Sequence, residues 1–143
     1  MSKKTILAVD DVSSNLVTIK EILMNDDFDI RVAKTGMTAL DILEKTEIDL
    51  VLLDIEMPGL SGFDVMEKLQ LMPRGGNIPV IFVTSHLNSD FVTRATKAGA
   101  KNYVVKPITP DVLKDRIRRV FTEESDFKAL WRSFEEDSKR LGL

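Results

Sequence analysis

Five short apolar runs recur along this chain, and the spacing between successive runs leaves room for one helix each time. The runs are Thr5-Ile6-Leu7-Ala8-Val9, Phe28-Asp29-Ile30-Arg31-Val32, Leu50-Val51-Leu52-Leu53, Pro79-Val80-Ile81-Phe82-Val83 and Tyr103-Val104-Val105. Each has the length of a strand, and β-branched residues are frequent in them. Three are apolar at every position. Side chains of a strand alternate between its two faces, so a strand that is apolar throughout must be covered on both, as in a parallel sheet between helical layers. The intervening segments have helical spacing: Leu16, Ile19 and Leu23; Ala39, Leu40 and Leu43; Phe63, Met66 and Leu69. The pattern is β-α repeated five times, which predicts an α/β doubly wound fold with right-handed crossovers. Pro58-Gly59 after the third run, Gly75-Gly76-Asn77 before the fourth and Gly99 before the fifth supply the turn chemistry.

The length of 143 residues suits one core. The repeating pattern ends near Phe121, which divides the chain into residues 1–121 and an extension over 122–143. In the extension the spacing predicts a helix over residues 126–140, opened by Ser125 and Asp126, with Phe127, Leu130, Trp131 and Phe134 on one face. That face can pack back on its own domain, form a homodimer, or lead to an effector domain beyond this sequence. Self-packing or dimerisation is preferred, because the aromatic face would otherwise form an exposed patch.

Composition removes several functions. Twenty Lys and Arg against 23 Asp and Glu give a net charge of −3, so there is no cationic excess for a nucleic-acid backbone. The absence of cysteine excludes disulfides, thiolate catalysis and Cys-ligated metals, and a single histidine, His86, excludes a multi-His metal site. No apolar run approaches the roughly 20 residues of a membrane span, and the amino terminus lacks the apolar core of a signal peptide, so a cytoplasmic protein without a membrane role is expected. Chemistry must come from carboxylates, hydroxyls and lysines.

In an open parallel sheet, ligands bind beyond the carboxyl ends of the strands. The first run ends in Asp10-Asp11, the third in Asp54, the fourth in Thr84-Ser85 and the fifth in Lys106-Pro107. Three carboxylates gathered there repel one another unless a cation lies among them. Oxygen ligands without His or Cys select magnesium or manganese. A carboxylate beside such an ion and a lysine is suited to attack phosphorus. Asp54 is the candidate nucleophile, because it ends the most buried strand and precedes the turn Met57-Pro58-Gly59; Asp10 and Asp11 are better placed to hold metal. Singly, each residue has a plainer role. Asp10-Asp11 and Thr84-Ser85 could cap helices, Asp54 could form a turn, Tyr103 could pack, and Lys106 could be an ordinary surface lysine. Their joint placement at strand ends favours the functional role. His86 is expected to be an exposed loop residue and no metal ligand. Met24, Met37, Met57, Met66 and Met72 are expected to fill core gaps and turns.

Together with Gly99-Ala100 and Tyr103, these motifs resemble the receiver domain of bacterial two-component response regulators over about residues 4–121. The resemblance implies the flavodoxin-like strand order 2-1-3-4-5, which puts the second strand, ending in Ala33-Lys34, at the margin. It implies that Asp54 accepts a phosphoryl group from a histidine kinase or phosphotransfer protein. Asp11, Asp54 and the backbone carbonyl of Glu56 would ligate Mg²⁺, with Asp10 acting largely through water. Lys106 would pair with the phosphoryl oxygens and Thr84 would donate its hydroxyl to one. Movement of Thr84 would open a space for Tyr103 and change the surface of the fourth helix, fifth strand and fifth helix. A cis peptide before Pro107, access past the small Ser85, and control of phosphate lifetime by Glu56 and His86 are further implications. On this resemblance the chain is a phosphorylation-activated signalling switch that acts on a downstream protein or effector domain and catalyses only its own phosphorylation and dephosphorylation. No organic cofactor is expected. The alternative is a Mg²⁺-dependent phosphohydrolase forming an aspartyl phosphate; against it, the nucleophile lies on the third strand and Glu56, rather than Asp, follows it by two residues. A flavin carrier is disfavoured because Asp10-Asp11 would repel a flavin phosphate.

Overall fold

The computed structural model describes residues 3–122 and 128–143. Five strands and five helices alternate along the chain: β1 (Lys4–Val9), α1 (Ser13–Leu23), β2 (Phe28–Ala33), α2 (Gly36–Lys45), β3 (Leu50–Asp54), α3 (Gly62–Gln70), β4 (Val80–Thr84), α4 (Ser89–Ala98), β5 (Asn102–Val105) and α5 (Pro110–Phe121). A short 3-10 turn over Gly75–Asn77 precedes β4, and a last helix, α6 (Ala129–Leu141), follows α5. The sheet is wholly parallel in the order β2-β1-β3-β4-β5. The fold is thus the flavodoxin-like α/β fold expected, with an additional carboxyl-terminal helix.

Alternation along the strands divides the core in two. Ile6, Ala8, Leu50, Leu52, Ile81, Val83 and Val104 face one side and pack with Leu16, Ile19 and Leu23 of α1 and Leu113 and Ile117 of α5. Leu7, Val9, Val51, Leu53, Phe82 and Tyr103 face the other, against α2, α3, α4 and Leu130 of α6. Both faces of β3 and β4 are buried along their whole length, which accounts for their unbroken apolar sequence. The marginal strand β2 is exposed at alternate positions and tolerates Asp29 and Arg31.

Local chemistry sets the helix starts. Thr35 and Asn88 cap α2 and α4 through their side-chain oxygens, and Ser61 and Asp64 form a reciprocal capping box on α3. Gly62 lets α3 start against the end of β3: an added methyl there would lie 2.5 Å from the Asp54 carbonyl oxygen. Gly99 ends α4 at φ 90°, a conformation that favours glycine.

The expected last helix is present as α6 over Ala129–Leu141, and Ser125, Asp126 and Phe127 lie outside the described residues. Two expectations are corrected. The buried face of α6 is Ala129, Leu130, Ser133 and Asp137 with part of Phe134, whereas Trp131 is 39% exposed. The expected aromatic stripe is therefore rotated toward a mixed polar face. Met57 and Met66 are buried, but Met24 and Met37 are 70% and 68% exposed, because Met24 sits at the end of α1 and Met37 on the outer side of α2. Among the described residues no helix is long and apolar enough to cross a membrane.

Candidate functional site

The crossover from β1 to β2 runs one way across the sheet and the crossover from β2 to β3 runs back the other way, and this reversal between β1 and β3 opens a crevice at the carboxyl ends of the strands. Asp10 follows β1, Asp54 ends β3, Thr84 ends β4, and Lys106 follows β5. The parallel register aligns these ends: Val9 pairs with Leu53, Asp54 with Val83, and Thr84 with Val105. Asp10, Asp54 and Thr84 are buried, Asp11 is half-buried, and the Lys106 side chain is 18% exposed.

The Lys106 ammonium bridges two carboxylates, with Nζ 3.1 Å from Asp10 Oδ2 and 3.0 Å from Asp54 Oδ1. Asp10 is held further by the Val12 amide, which donates to Oδ1 at 2.9 Å, and by Asn15 Nδ2, which donates to Oδ2 at 3.0 Å. Asp10 thus steadies the start of α1, yet Val12 rather than either aspartate is the N-cap residue. One carboxylate oxygen each from Asp10, Asp11 and Asp54 lie within 4.8 Å of one another. Asp54 Oδ2 is buried with no hydrogen-bond partner among the described residues. Three carboxylates against one ammonium leave two negative charges uncompensated. Burial, together with the Asp10 and Asp11 charges, pushes the Asp54 carboxyl up to about 6 despite Lys106. Burial alone would lower the Lys106 ammonium, but Asp54 and Asp10 hold it above its ordinary value. An acidic cluster with one unpartnered buried oxygen fits a hard divalent cation.

Thr84 is turned toward its own chain: its hydroxyl accepts the His86 amide at 3.1 Å and donates to the His86 carbonyl at 3.2 Å. It does not cap α4; Asn88 does. At the mouth of the crevice the exposed His86 has Nε2 3.5 Å from Glu56 Oε1. The peptide between Lys106 and Pro107 is cis. Structure therefore gathers Asp10, Asp11, Asp54 and Lys106 closely, with Thr84, Glu56 and His86 on adjoining strand ends.

Tyr103 lies elsewhere, fully buried under α6. Its ring meets Phe91 of α4 edge-on at 5.8 Å, and its hydroxyl donates to Asp137 Oδ2 at 2.8 Å. Burial and the Asp137 carboxylate raise the phenol well above its ordinary range, so it stays a donor. Arg116 of α5, 2% exposed, donates to Asp137 Oδ1 at 3.1 Å, and Ser133 donates to Asn102 Oδ1 at 2.8 Å. Sequence reasoning missed this seam. Its signal is the helical spacing Leu130, Ser133, Asp137, which puts two polar residues on the apolar face of α6.

Comparison with known proteins agrees with the geometry. The profile of the response regulator receiver domain matches residues 6–118. The chain is 37% identical over 117 residues to the chemotaxis protein CheY of Pseudomonas aeruginosa, covering 81% of this chain and 94% of that one. It is 39% identical over 117 residues to a probable cyclic di-GMP phosphodiesterase of Vibrio cholerae, but this covers 82% of the chain and only 26% of the much longer relative. Among solved structures, a CheY-like receiver domain protein from Methanospirillum hungatei JF-1 superposes with a TM-score of 0.77 at 30% identity, covering 85% of this chain and 96% of that one. The chain belongs to the response regulator receiver domain family.

Proposed function

We propose that this receiver domain is switched by reversible phosphorylation of Asp54, with a histidine kinase or phosphotransfer protein as donor. The observation that carries the proposal is the Lys106 ammonium set between Asp10 and Asp54, while the second Asp54 oxygen has no hydrogen-bond partner among the described residues. In the transfer, an Asp54 oxygen bonds to phosphorus as the bond from phosphorus to the donor's imidazole nitrogen breaks, and that nitrogen takes up a proton. Hydrolysis reverses the state: water attacks phosphorus, the Asp54 oxygen leaves, and inorganic phosphate is released.

Asp10, Asp11, Asp54 and the backbone carbonyl of Glu56 would hold Mg²⁺, or Mn²⁺ in its place, and the ion would neutralise the carboxylates and a phosphoryl oxygen. Lys106, already committed to Asp54, would pair with a second phosphoryl oxygen. Thr84 would give its hydroxyl to the third after leaving the His86 carbonyl. Tyr103 would then turn toward the space vacated by Thr84 and alter the surface of α4, β5 and α5. Glu56 and His86 flank the approach of the attacking water. We read residues 1–121 as the receiver unit and 122–143 as an appended segment, in a cytoplasmic protein that catalyses only its own phosphorylation and dephosphorylation and signals to a downstream protein or effector domain.

The test is incubation of the full chain with a small acyl phosphate and Mg²⁺, read by mass spectrometry. One phosphoryl group per chain is expected, and none on Asp54→Asn. Normal incorporation by Asp54→Asn would overturn the assignment, and steady turnover of phosphomonoesters would favour the phosphohydrolase.

A further inference from the structure

We infer that α6 is a latch on the α4, β5 and α5 face, fastened by the bond from Tyr103 to Asp137 and released when Asp54 is phosphorylated. The inference rests on Asp54 as phosphoacceptor and concerns what that event does to the last helix.

Helix α6 lies against α4 and β5, with Leu130 and part of Phe134 in the same apolar cluster as Phe91, Val92 and Tyr103. Its ion pairs reach α5: Asp137 to Arg116, and Glu136 to Arg119 at 3.0 Å. The seat is polar where a purely structural helix would be apolar. It buries Tyr103, Arg116, Asn102, Ser133 and Asp137 together. Arg116 Nε and Nη1 and Asn102 Nδ2 are buried there without hydrogen-bond partners among the described residues. Unpaired buried donors and a buried ion pair both cost free energy, so the polar part of this contact adds specificity and subtracts strength.

The fastening is coupled to the crevice by contiguous contacts. The Thr84 hydroxyl holds the His86 backbone; two residues later Asn88 caps α4 by accepting the Phe91 amide at 2.8 Å; the Phe91 ring abuts Tyr103; and the Tyr103 hydroxyl holds Asp137. That hydroxyl has one place in the closed state. When Thr84 leaves His86 for a phosphoryl oxygen and Tyr103 turns toward the vacated space, its bond to Asp137 breaks and leaves a carboxylate, a guanidinium and an amide poorly matched under α6. The helix lifts and uncovers the face. Linkage makes the effect mutual: loosening α6 must favour the phosphorylated arrangement.

Beryllofluoride with Mg²⁺ serves as the phosphoryl mimic on the full chain, with its binding read by fluorine NMR. Amide hydrogen exchange over residues 129–141 is expected to speed up at least tenfold on binding, and emission of Trp131, the single tryptophan, is expected to shift to the red. Tyr103→Phe and Asp137→Asn should show fast α6 exchange without the mimic and bind it about five- to tenfold more tightly. Bound mimic with unchanged or slowed α6 exchange overturns the latch alone, as does unaltered mimic affinity in both variants. No binding to the wild type overturns the Asp54 assignment and the latch with it.

Discussion

Two regions of this molecule bury charge, and they balance it differently. Among the described residues, the crevice at the strand ends holds Asp10, Asp11 and Asp54 against Lys106 alone. The seam under α6 pairs Asp137 with Arg116 and also with Arg140, so its charges are met within the chain. Its hydrogen bonds are not, since two Arg116 nitrogens and Asn102 Nδ2 lack partners among the described residues. In the proposed function, a crevice short of positive charge would be completed from outside, by a cation and then a phosphoryl group. A seam whose charges meet across it but which is short of acceptors gives up, when undone, the pairing of Arg116 on α5 with Asp137 and Glu136 on α6.

The largest effect is expected at Arg116. Arg116→Ala removes the buried one of the two cations 3.1 Å from Asp137 and leaves the half-exposed Arg140, and a loss of about 3 kcal/mol is expected in urea unfolding. If the loss is below about 1 kcal/mol, the carboxylate is not dependent on this pair. Next in size is Mg²⁺. The ion should stabilise the wild type by about 2.7 kcal/mol at a hundred times its dissociation constant, read as an upward shift of the melting temperature that chelation reverses. It should leave Asp54→Asn little changed.

A smaller effect sharpens the electrostatic half of the comparison. Asp54 in the folded, metal-free protein titrates at about 6, above the ordinary 3.8, so the folded state holds its proton more tightly than the unfolded state. Stability contributed by this group is present below pH about 4, falls as pH rises through about 6, and stays lost above it. Asp54→Asn should remove that fall and stabilise the metal-free protein at neutral pH by about 1 kcal/mol. Thermal unfolding across pH 4–8 without metal checks this, and a rising curve for the wild type would contradict it. The smallest effect belongs to the exposed Asp41 and Lys45 pair on α2, 2.9 Å apart. Asp41→Ala should leave the urea midpoint unchanged within measurement error, which would show that burial, not ion pairing as such, separates the two regions from the surface.

The crevice was legible because strand ends are local features. Unbroken apolar runs such as Leu50 to Leu53 end in a charged or hydroxylated residue, and any parallel sheet brings those ends to one edge. Only tertiary structure separates the plainer roles open to these residues: Thr84 holds His86 instead of capping α4, and Lys106 is tied to two carboxylates instead of lying on the surface. The seam was not legible. The apolar residues of α6 suggested a face centred on its aromatics, but Trp131 is turned out and Asp137 is turned in. Residues 103 and 137, or 102 and 133, are brought together by how α6 meets α4 and β5, and no periodicity within one segment reports that.

The amino-acid order alone determined the number and kind of elements, their burial on both faces of the sheet, and the set of polar groups at the strand ends, because hydrophobic period and turn chemistry act over a few residues. Tertiary packing decided which of those groups touch, how far Asp54 is pushed from its ordinary titration, and where the last helix rests. Those depend on distances across the fold, where charge, desolvation and shape are settled by neighbours remote in the chain.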